Sequence, residues 1–257
     1  YYEKGLKEGI SVAAVVANSC STATGSYDDL EAIAGFCEKH KLWLHVDGAH
    51  GMGVLFSDKY RHLIRGIEKA DSVVIDFHKM LLVPGLNTMV VFRDGNRSYE
   101  TFAQKASYLF KRQAENEWYN SARRTLECTK SSLGFVAFTA FKYYNREYFG
   151  NYIDSRYDLA ARFTEMIRLR NNFEAAINPD SNIVCFRYNP GGITNEELNR
   201  LNAAIRDKII KDGIFYIVRT ELEDKLWLRV TVINPLTTEE DLSMLLDTIE
   251  TAAAGIQ

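Results

Sequence analysis

The sequence of 257 residues has few cysteines, no excess of basic residues and no long hydrophobic run. Its four cysteines show no CxxC spacing, which disfavours zinc and redox motifs, so we expect a cytoplasmic protein without a metal site. The net charge of −3 lacks the positive field that nucleic acids attract. The longest apolar stretches, 11–17 and 80–86, are far shorter than the roughly 18–20 residues of a membrane-spanning helix. We therefore expect neither a nucleic-acid nor a membrane partner.

The composition is that of a globular protein of one or two domains, with 46% hydrophobic and 25% charged residues. The opening YYEKGLKEG is typical of a helix end closed by glycine and predicts a start within a fold. Strand and helix patterns then alternate. We predict helices at 27–40 and 59–70, and strands within 10–17, 42–47, 71–79 and 86–94. The nearly continuous apolar run at 10–17 is typical of a parallel strand covered on both faces.

The second half has a different pattern. Residues 95–124 predict a long loop excursion, followed by helices at about 125–147 and 150–171. Strands at 172–177, 182–188, 214–222 and 225–233, with helices at 194–213 and 237–254, predict a separate small α+β domain. We therefore divide the chain into a large domain at 1–147, a connecting helix at 148–171 and a small domain at 172–257.

Two short motifs carry the chemistry. HVDGAHG places Asp47 at the end of one predicted strand, and DFHK places Lys79, 32 residues later, at the end of the next. Since a strand-helix-strand unit returns the chain to the same edge of a parallel sheet, both side chains are expected to face one crevice. Burial there would favour the neutral amine of Lys79, which suits Schiff-base chemistry, and a nearby carboxylate can keep a pyridine nitrogen protonated. Three small residues leave room for a flat cofactor: Gly48, Ala49 and Gly51.

In these motifs the sequence resembles the pyridoxal-phosphate-dependent group II amino-acid decarboxylases. The matching blocks run in the family's order from about residue 8 to 190: NSCSTATGSYDDL, WLHVDGAHG, YRHLIRGIEKADSVVIDFHKMLLVP, KASYLF, RRTLECTK and NIVCFRY. The resemblance implies an α/β chain. It would comprise the later portion of a fold type I, aminotransferase-like large domain with a mostly parallel sheet, then the small α+β domain. It also implies a homodimer with a shared active site and a small amino acid as substrate.

The resemblance also assigns roles to single residues. Lys79 would form the Schiff base with pyridoxal 5'-phosphate, and Asp47 would pair with its pyridinium nitrogen. Ala49 would pack against the ring and His78 would lie near the phosphate. Thr22 matches a threonine near the cofactor hydroxyl and the substrate carboxylate, and Tyr108 matches a loop tyrosine that protonates the carbanion. Independently of the family, His45 shares the strand face of Asp47 and either touches the site or fills space.

Some positions depart from the family's pattern. Asp76 stands where many relatives have asparagine, Gly48 replaces the commoner alanine, and SCST replaces a glycine-threonine run, which weakens the assignment of Thr22. The family's ring-stacking histidine and much of its phosphate cradle lie upstream of the matched region.

We predict decarboxylation of an L-amino acid to an amine and carbon dioxide, with the substrate left open. An aminotransferase or aldolase would use the same Lys79/Asp47 pair, and a truncated relative could act only as an assembly partner. Arg229 either binds a substrate acid or, as we favour, faces solvent. His50 is interpreted as an ordinary histidine.

Overall fold

Two four-stranded sheets organise the residues that the computed structural model describes, which are 1–102, 119–127 and 129–256. The first sheet has the order β1-β2-β3-β4, and the second, antiparallel sheet has the order β5-β6-β8-β7. The strands are β1 Ala14–Asn18, β2 Trp43–Asp47, β3 Ser72–Asp76, β4 Thr88–Phe92, β5 Phe173–Ala175, β6 Ile183–Tyr188, β7 Val218–Leu222 and β8 Lys225–Thr231. The α-helices are α1 Tyr2–Lys7, α2 Leu30–His40, α3 Gly95–Thr101, α4 Leu133–Arg168, α5 Asn195–Asp212 and α6 Glu239–Ala254. None of the described helices is long and apolar enough to cross a membrane.

The first sheet confirms the α/β prediction. Strands β1, β2 and β3 are parallel, and β4 joins β3 in the antiparallel sense. Asp47 pairs with Asn18 of β1 and with Val74 of β3. The carboxyl ends of three strands therefore meet at one edge of the sheet.

The connection between β2 and β3 corrects the helix predicted at 59–70. It contains two short 3₁₀-helices, Arg61–Ile64 and Ile67–Lys69, instead of one α-helix. Gly66 lies between them with φ 93°, and a Cβ there would lie 2.8 Å from the backbone of Glu31. A left-handed glycine packed against the first turn of α2 ends the helical path.

The prediction of a first strand covered on both faces is wrong for the described structure. Val16 of β1 is 61% exposed, whereas its neighbour Ala17 is fully buried. Three residues of β4 are also exposed: Met89, Val90 and Val91. Among the described elements, α2 packs beside β1 and β2, and the side chain of Val16 on β1 is left largely uncovered.

The region predicted as a loop at 95–124 contains α3 and a 3₁₀-helix at Ser121–Arg124 in its described parts. The two helices predicted after it are joined as α4, and the described residues of 125–132 are not helical. The join is Asn145, whose φ of 62° is non-helical. Its Oδ1 accepts a hydrogen bond from the backbone N–H of Tyr148 at 3.1 Å, so Asn145 caps a second helical segment within α4.

The second sheet packs against α5 and α6, and both helices begin at a capping box. Thr194 pairs with Glu197, and Thr238 pairs with Asp241. Gly213, with φ 72°, closes α5. Because these signals are local, the sequence places both helix starts correctly.

Helix α4 contributes to the two larger hydrophobic clusters of the described residues. Phe149 and Ile153 pack with the first sheet, whereas Phe163 and Ile167 pack with the second. Since one helix serves both clusters, the division at 147 and 171 stays a prediction.

The loop after β2 approaches other backbone too closely for larger residues. The N–H of Gly51 donates to the carbonyl of Ser19 at 3.0 Å, and Tyr27 Oη donates to the carbonyl of Gly51 at 2.8 Å. A Cβ on Gly51 would lie 2.5 Å from the amide nitrogen of Cys20, and one on Gly48 would lie 2.9 Å from the carbonyl oxygen of Val74. The protein itself therefore fills the room that these glycines were expected to leave for a cofactor.

We predict that Gly51→Ala lowers the free energy of unfolding by roughly 1–3 kcal/mol, because backbone atoms must move to admit the Cβ. Urea denaturation measures the change. Gly35→Ala is the matched control, because Gly35 lies in α2 with open space around it. That change should be neutral or stabilise by up to about 1 kcal/mol. Equal stability of the Gly51→Ala protein and the original would contradict the packing argument.

Candidate active site

The carboxyl ends of β2 and β3 present an acidic residue each. Asp47 is the last residue of β2 and Asp76 is the last residue of β3. The backbone of Ala49 connects these two ends, because its N–H donates to Asp47 Oδ1 at 3.1 Å and its carbonyl accepts from the N–H of Asp76 at 3.3 Å. The parallel pairing therefore holds both carboxylates at one edge of the sheet.

Lys79 lies just beyond β3 and is paired with Asp76. The Nζ of Lys79 lies 2.7 Å from Asp76 Oδ2, and Thr88 Oγ1 donates to Asp76 Oδ1 at 2.5 Å. Thr88 reaches this carboxylate because it is the cross-strand partner of Asp76 in the β3–β4 pair. The Asp76 side chain is 12% exposed and that of Lys79 is 37% exposed.

The charge on this pair is settled by its hydrogen bonds. Burial by itself would raise the pKa of Asp76, but the hydrogen bonds from Lys79 and Thr88, with the positive charge of Lys79, hold that pKa below its ordinary value. Asp76 is therefore a carboxylate. Lys79 is its ion-pair partner, which differs from the desolvated neutral amine expected from the sequence.

His78 and His45 are both held by neighbours. His78 Nδ1 lies 3.1 Å from the backbone oxygen and 3.1 Å from the backbone nitrogen of Asn87, and its Nε2 lies 3.8 Å from Asp76 Oδ2. His45 Nδ1 lies 2.8 Å from Ser72 Oγ of β3. His45 shares the strand face of Asp47, as the alternation predicts, and its role stays a prediction.

The remaining predicted site residues are Thr22 and Tyr108. Thr22 is exposed in a turn after β1. Tyr108 lies outside the described residues. Their roles therefore stay predictions.

His50, which the sequence predicts to be an ordinary histidine, contacts a residue next to the second sheet. Its Nε2 lies 2.8 Å from Oδ1 of Asn182, immediately before β6. Burial lowers the pKa of His50, and the positive charges of Lys79 and Arg229 lower it further, against opposing effects of Asn182 and Asp76. His50 is therefore within electrostatic reach of Lys79 and Arg229 at once.

Arg229 is the functional candidate that the sequence interpretation placed wrongly. It lies on β8, and its Nε is buried without a hydrogen-bond partner among the described residues. Burial also lowers the pKa of its guanidinium. A buried guanidinium N–H without a partner is costly, so an anion at this position would be stabilised.

The face that Arg229 shares is covered by the turn after β1. Arg229 pairs with Cys185 across the sheet, and Cys185 Sγ donates to the carbonyl of Ala23 at 3.3 Å. Gly25 of the same turn approaches Ser181 so closely that a Cβ would clash. The alternation of side chains along β8 correctly puts Arg229 on the opposite face from Leu228. Other parts of the chain pack against both faces.

The described residues fit a pyridoxal group at its aldehyde and at its ring nitrogen. An amine and two carboxylates follow adjacent parallel strands, which matches the amine and ring-nitrogen partners that the resemblance implies. The guanidinium of Arg229 supplies an unused N–H for an anionic substrate.

Comparison with known proteins identifies the class. The model of the pyridoxal-dependent decarboxylase conserved domain matches residues 3–189. The chain belongs to this family.

Two curated relatives and one solved structure illustrate the similarity. Human acidic amino acid decarboxylase GADL1 is 29% identical over 95% of this chain and 49% of its own length. Human cysteine sulfinic acid decarboxylase is 30% identical over 95% of this chain and 52% of its own length. The crystal structure of mouse CSAD in apo form superimposes with a TM-score of 0.88 at 25% identity, over 98% of this chain and 54% of that one. The chain thus spans about half the length of the curated relatives it matches.

We predict that Asp76→Asn lowers the free energy of unfolding near neutral pH by about 1 kcal/mol, a modest value because Lys79 is partly solvated. The lowered pKa of Asp76 means that its stabilisation is present above the ordinary value of 3.8 and is lost as pH falls through the folded-state pKa. The difference between the two proteins should therefore shrink in acid, as urea denaturation across pH would measure.

Asp212→Asn is the control for this pair, since the Lys208–Asp212 pair on α5 is exposed on both sides. It should change stability less than Asp76→Asn does. A pH-independent difference for Asp76→Asn would show that the ion pair with Lys79 does not stabilise the fold.

Proposed function

We propose that the protein containing this chain decarboxylates an L-amino acid to the corresponding amine and carbon dioxide, with pyridoxal 5'-phosphate as cofactor. The observation that carries the proposal is the parallel pairing of β2 with β3, which puts Asp47 and the Asp76–Lys79 pair at one sheet edge. Membership of the pyridoxal-dependent decarboxylase family supports it.

The residues that would hold the cofactor are those of the sequence prediction: Lys79, Asp47, Ala49, His78, Thr22 and His45. Pyridoxal phosphate, when bound, supplies a protonated ring that accepts the electron pair left on Cα as carbon dioxide departs. Asp47 would keep the proton on the ring nitrogen, since a carboxylate beside that nitrogen favours its charged form. Lys79 would supply the amine for covalent attachment.

Asp76 has a defined part in this proposal. It holds the Nζ of Lys79 at 2.7 Å, and Thr88 fixes the other carboxylate oxygen. Lys79 must leave this ion pair and lose its proton before its amine can act as a nucleophile. Asp76 therefore keeps the amine close to the sheet edge until that point.

We further propose an acidic L-amino acid as substrate, with Arg229 binding the carboxylate that is retained. A carboxylate held in a strong ion pair is stabilised more before the reaction than during its loss, so the departing group should not be the partner of Arg229. The neutral hydroxyl of Thr22 suits the departing carboxylate better. The two curated relatives, named for acidic amino acids and for cysteine sulfinic acid, support this choice.

The proposal includes a homodimer with a shared active site, in which Tyr108 donates the proton to Cα. The exposed apolar residues of β4 are available to such an interface. A cytoplasmic location also stays a prediction.

We predict that Lys79→Ala abolishes the visible absorbance of covalently bound cofactor and lowers amine formation at least about a thousandfold, because the amine that attaches the cofactor is removed. Absorbance and product analysis of amine, carbon dioxide and keto acid measure both effects. Lys69→Ala, at an exposed lysine before β3, should leave both unchanged. Keto acid as the main product would favour an aminotransferase, and retained absorbance with turnover would refute the role of Lys79.

We predict that Arg229→Gln raises KM for an acidic amino acid about tenfold or more, because a charge-assisted contact is lost. The fall in kcat should be smaller, since the retained carboxylate is bound equally before and during the reaction. Steady-state kinetics measure the effect. Arg219→Gln, at an exposed position on β7, is the matched control, and an unchanged KM for Arg229→Gln would exclude this substrate contact.

A further inference from the structure

We propose that His50 is a positioning residue of this site, acting as a neutral imidazole that fastens the loop after β2 to the second sheet. The loop directly follows Asp47, the last residue of β2, and the second sheet carries Arg229. The inference rests on the proposed function for its consequences in catalysis. The contact between His50 and Asn182 stands on the structure alone.

The hydrogen bond to Asn182 fixes which ring nitrogen carries the proton. Asn182 is fully buried, and its Nδ2 donates to the carbonyl of Val232 at 3.2 Å. Its backbone is fixed as well, because the N–H of Val232 donates to the carbonyl of Asn182 at 2.8 Å. The amide oxygen therefore faces His50 and can only accept, so His50 Nε2 must be the donor. In the neutral ring, Nδ1 is then without a proton.

Burial is the main cause that lowers the pKa of His50 and favours the neutral ring, and nearby positive charges add to it. Lys79 beyond β3 and Arg229 on β8 are both positive, and each disfavours the imidazolium. Asp76 is the opposing charge, and it is already paired with Lys79. Partial burial acts in the same direction as the two cations, so the pKa of His50 lies below its ordinary value of 6.5.

This position links the two candidate ligand contacts of the site. The hydrogen bond from His50 spans from the loop that follows Asp47 to the residue that precedes β6, the strand paired with β8. It therefore sets where Arg229 lies relative to Asp47 and Lys79. A protonated ring would add a third positive charge between the two units, so the neutral ring allows them to pack closely.

Two variants of His50 distinguish the effect of its N–H donor from the effect of its flat ring. His50→Gln keeps a neutral N–H donor at similar reach, and His50→Phe keeps a flat ring without a donor. With an acidic amino acid, His50→Phe should raise KM about five- to tenfold with a smaller change in kcat, because one hydrogen bond is lost and Arg229 moves. His50→Gln should stay within about twofold of the original KM.

The protonation state is tested without cofactor or substrate. Because the folded-state pKa of His50 is lowered, the unfolded chain takes up its proton first, and stability falls as pH drops below about 6.5. His50→Gln should remove this part of the pH dependence, whereas His62→Gln, at an exposed histidine, should retain it. Nitrogen-15 NMR of histidine-labelled protein should show the Nε2–H tautomer for the signal that His50→Gln removes.

Several results would overturn the proposal. One is an NMR signal of the Nδ1–H tautomer. Another is a pH dependence of stability in His50→Gln that equals that of the original protein. The third is a KM of His50→Phe that equals the KM of the original protein. If His50→Phe does not fold, the pH dependence of His50→Gln decides the question. Failure of the proposed function would be distinct, because the neutral tautomer and its pH dependence would persist in a protein that releases no amine.

Discussion

The parallel pairing of β2 with β3 is the constraint on which the site depends. Parallel strands end at the same edge, so Asp47 and Asp76 are brought together although 28 residues separate them in the sequence. The backbone of Ala49 then bonds to both strand ends. A slip of one residue in this register would turn Asp47 to the opposite face, where Leu44 and Val46 are buried.

The second sheet completes the arrangement from the other side. The turn after β1 contacts Cys185, and the loop after β2 contacts Asn182. These contacts cover the sheet face that Arg229 shares, so Arg229 is partly buried and its Nε is shielded from solvent. The close approach explains the glycines of both loops, because side chains at Gly25 or Gly51 would force the units apart.

Local signals made much of the fold predictable. Short local sequence patterns specify the capping boxes at Thr194 and Thr238 and the helix end at Gly213. The irregular path around Gly66 depends on contact with α2, which periodicity does not show. Likewise, Asn145 joins two helical segments directly, and neither propensity nor spacing indicates that no loop intervenes.

The charged contacts of the candidate site were also only partly predictable from the sequence. Spacing predicts that Lys79 lies at the same edge as Asp47, but the partner of Lys79 in the structure is Asp76, three residues earlier. Arg229 was expected to face solvent because one strand face is usually wet, and only the packing of two units shows otherwise. Lys79 is paired with Asp76, whereas the Nε of Arg229 is buried without a hydrogen-bond partner among the described residues. A substrate with two carboxylates would lose one as carbon dioxide, and the retained one would still neutralise Arg229. Under the proposed function, this N–H of Arg229 would favour an acidic amino acid over an apolar one.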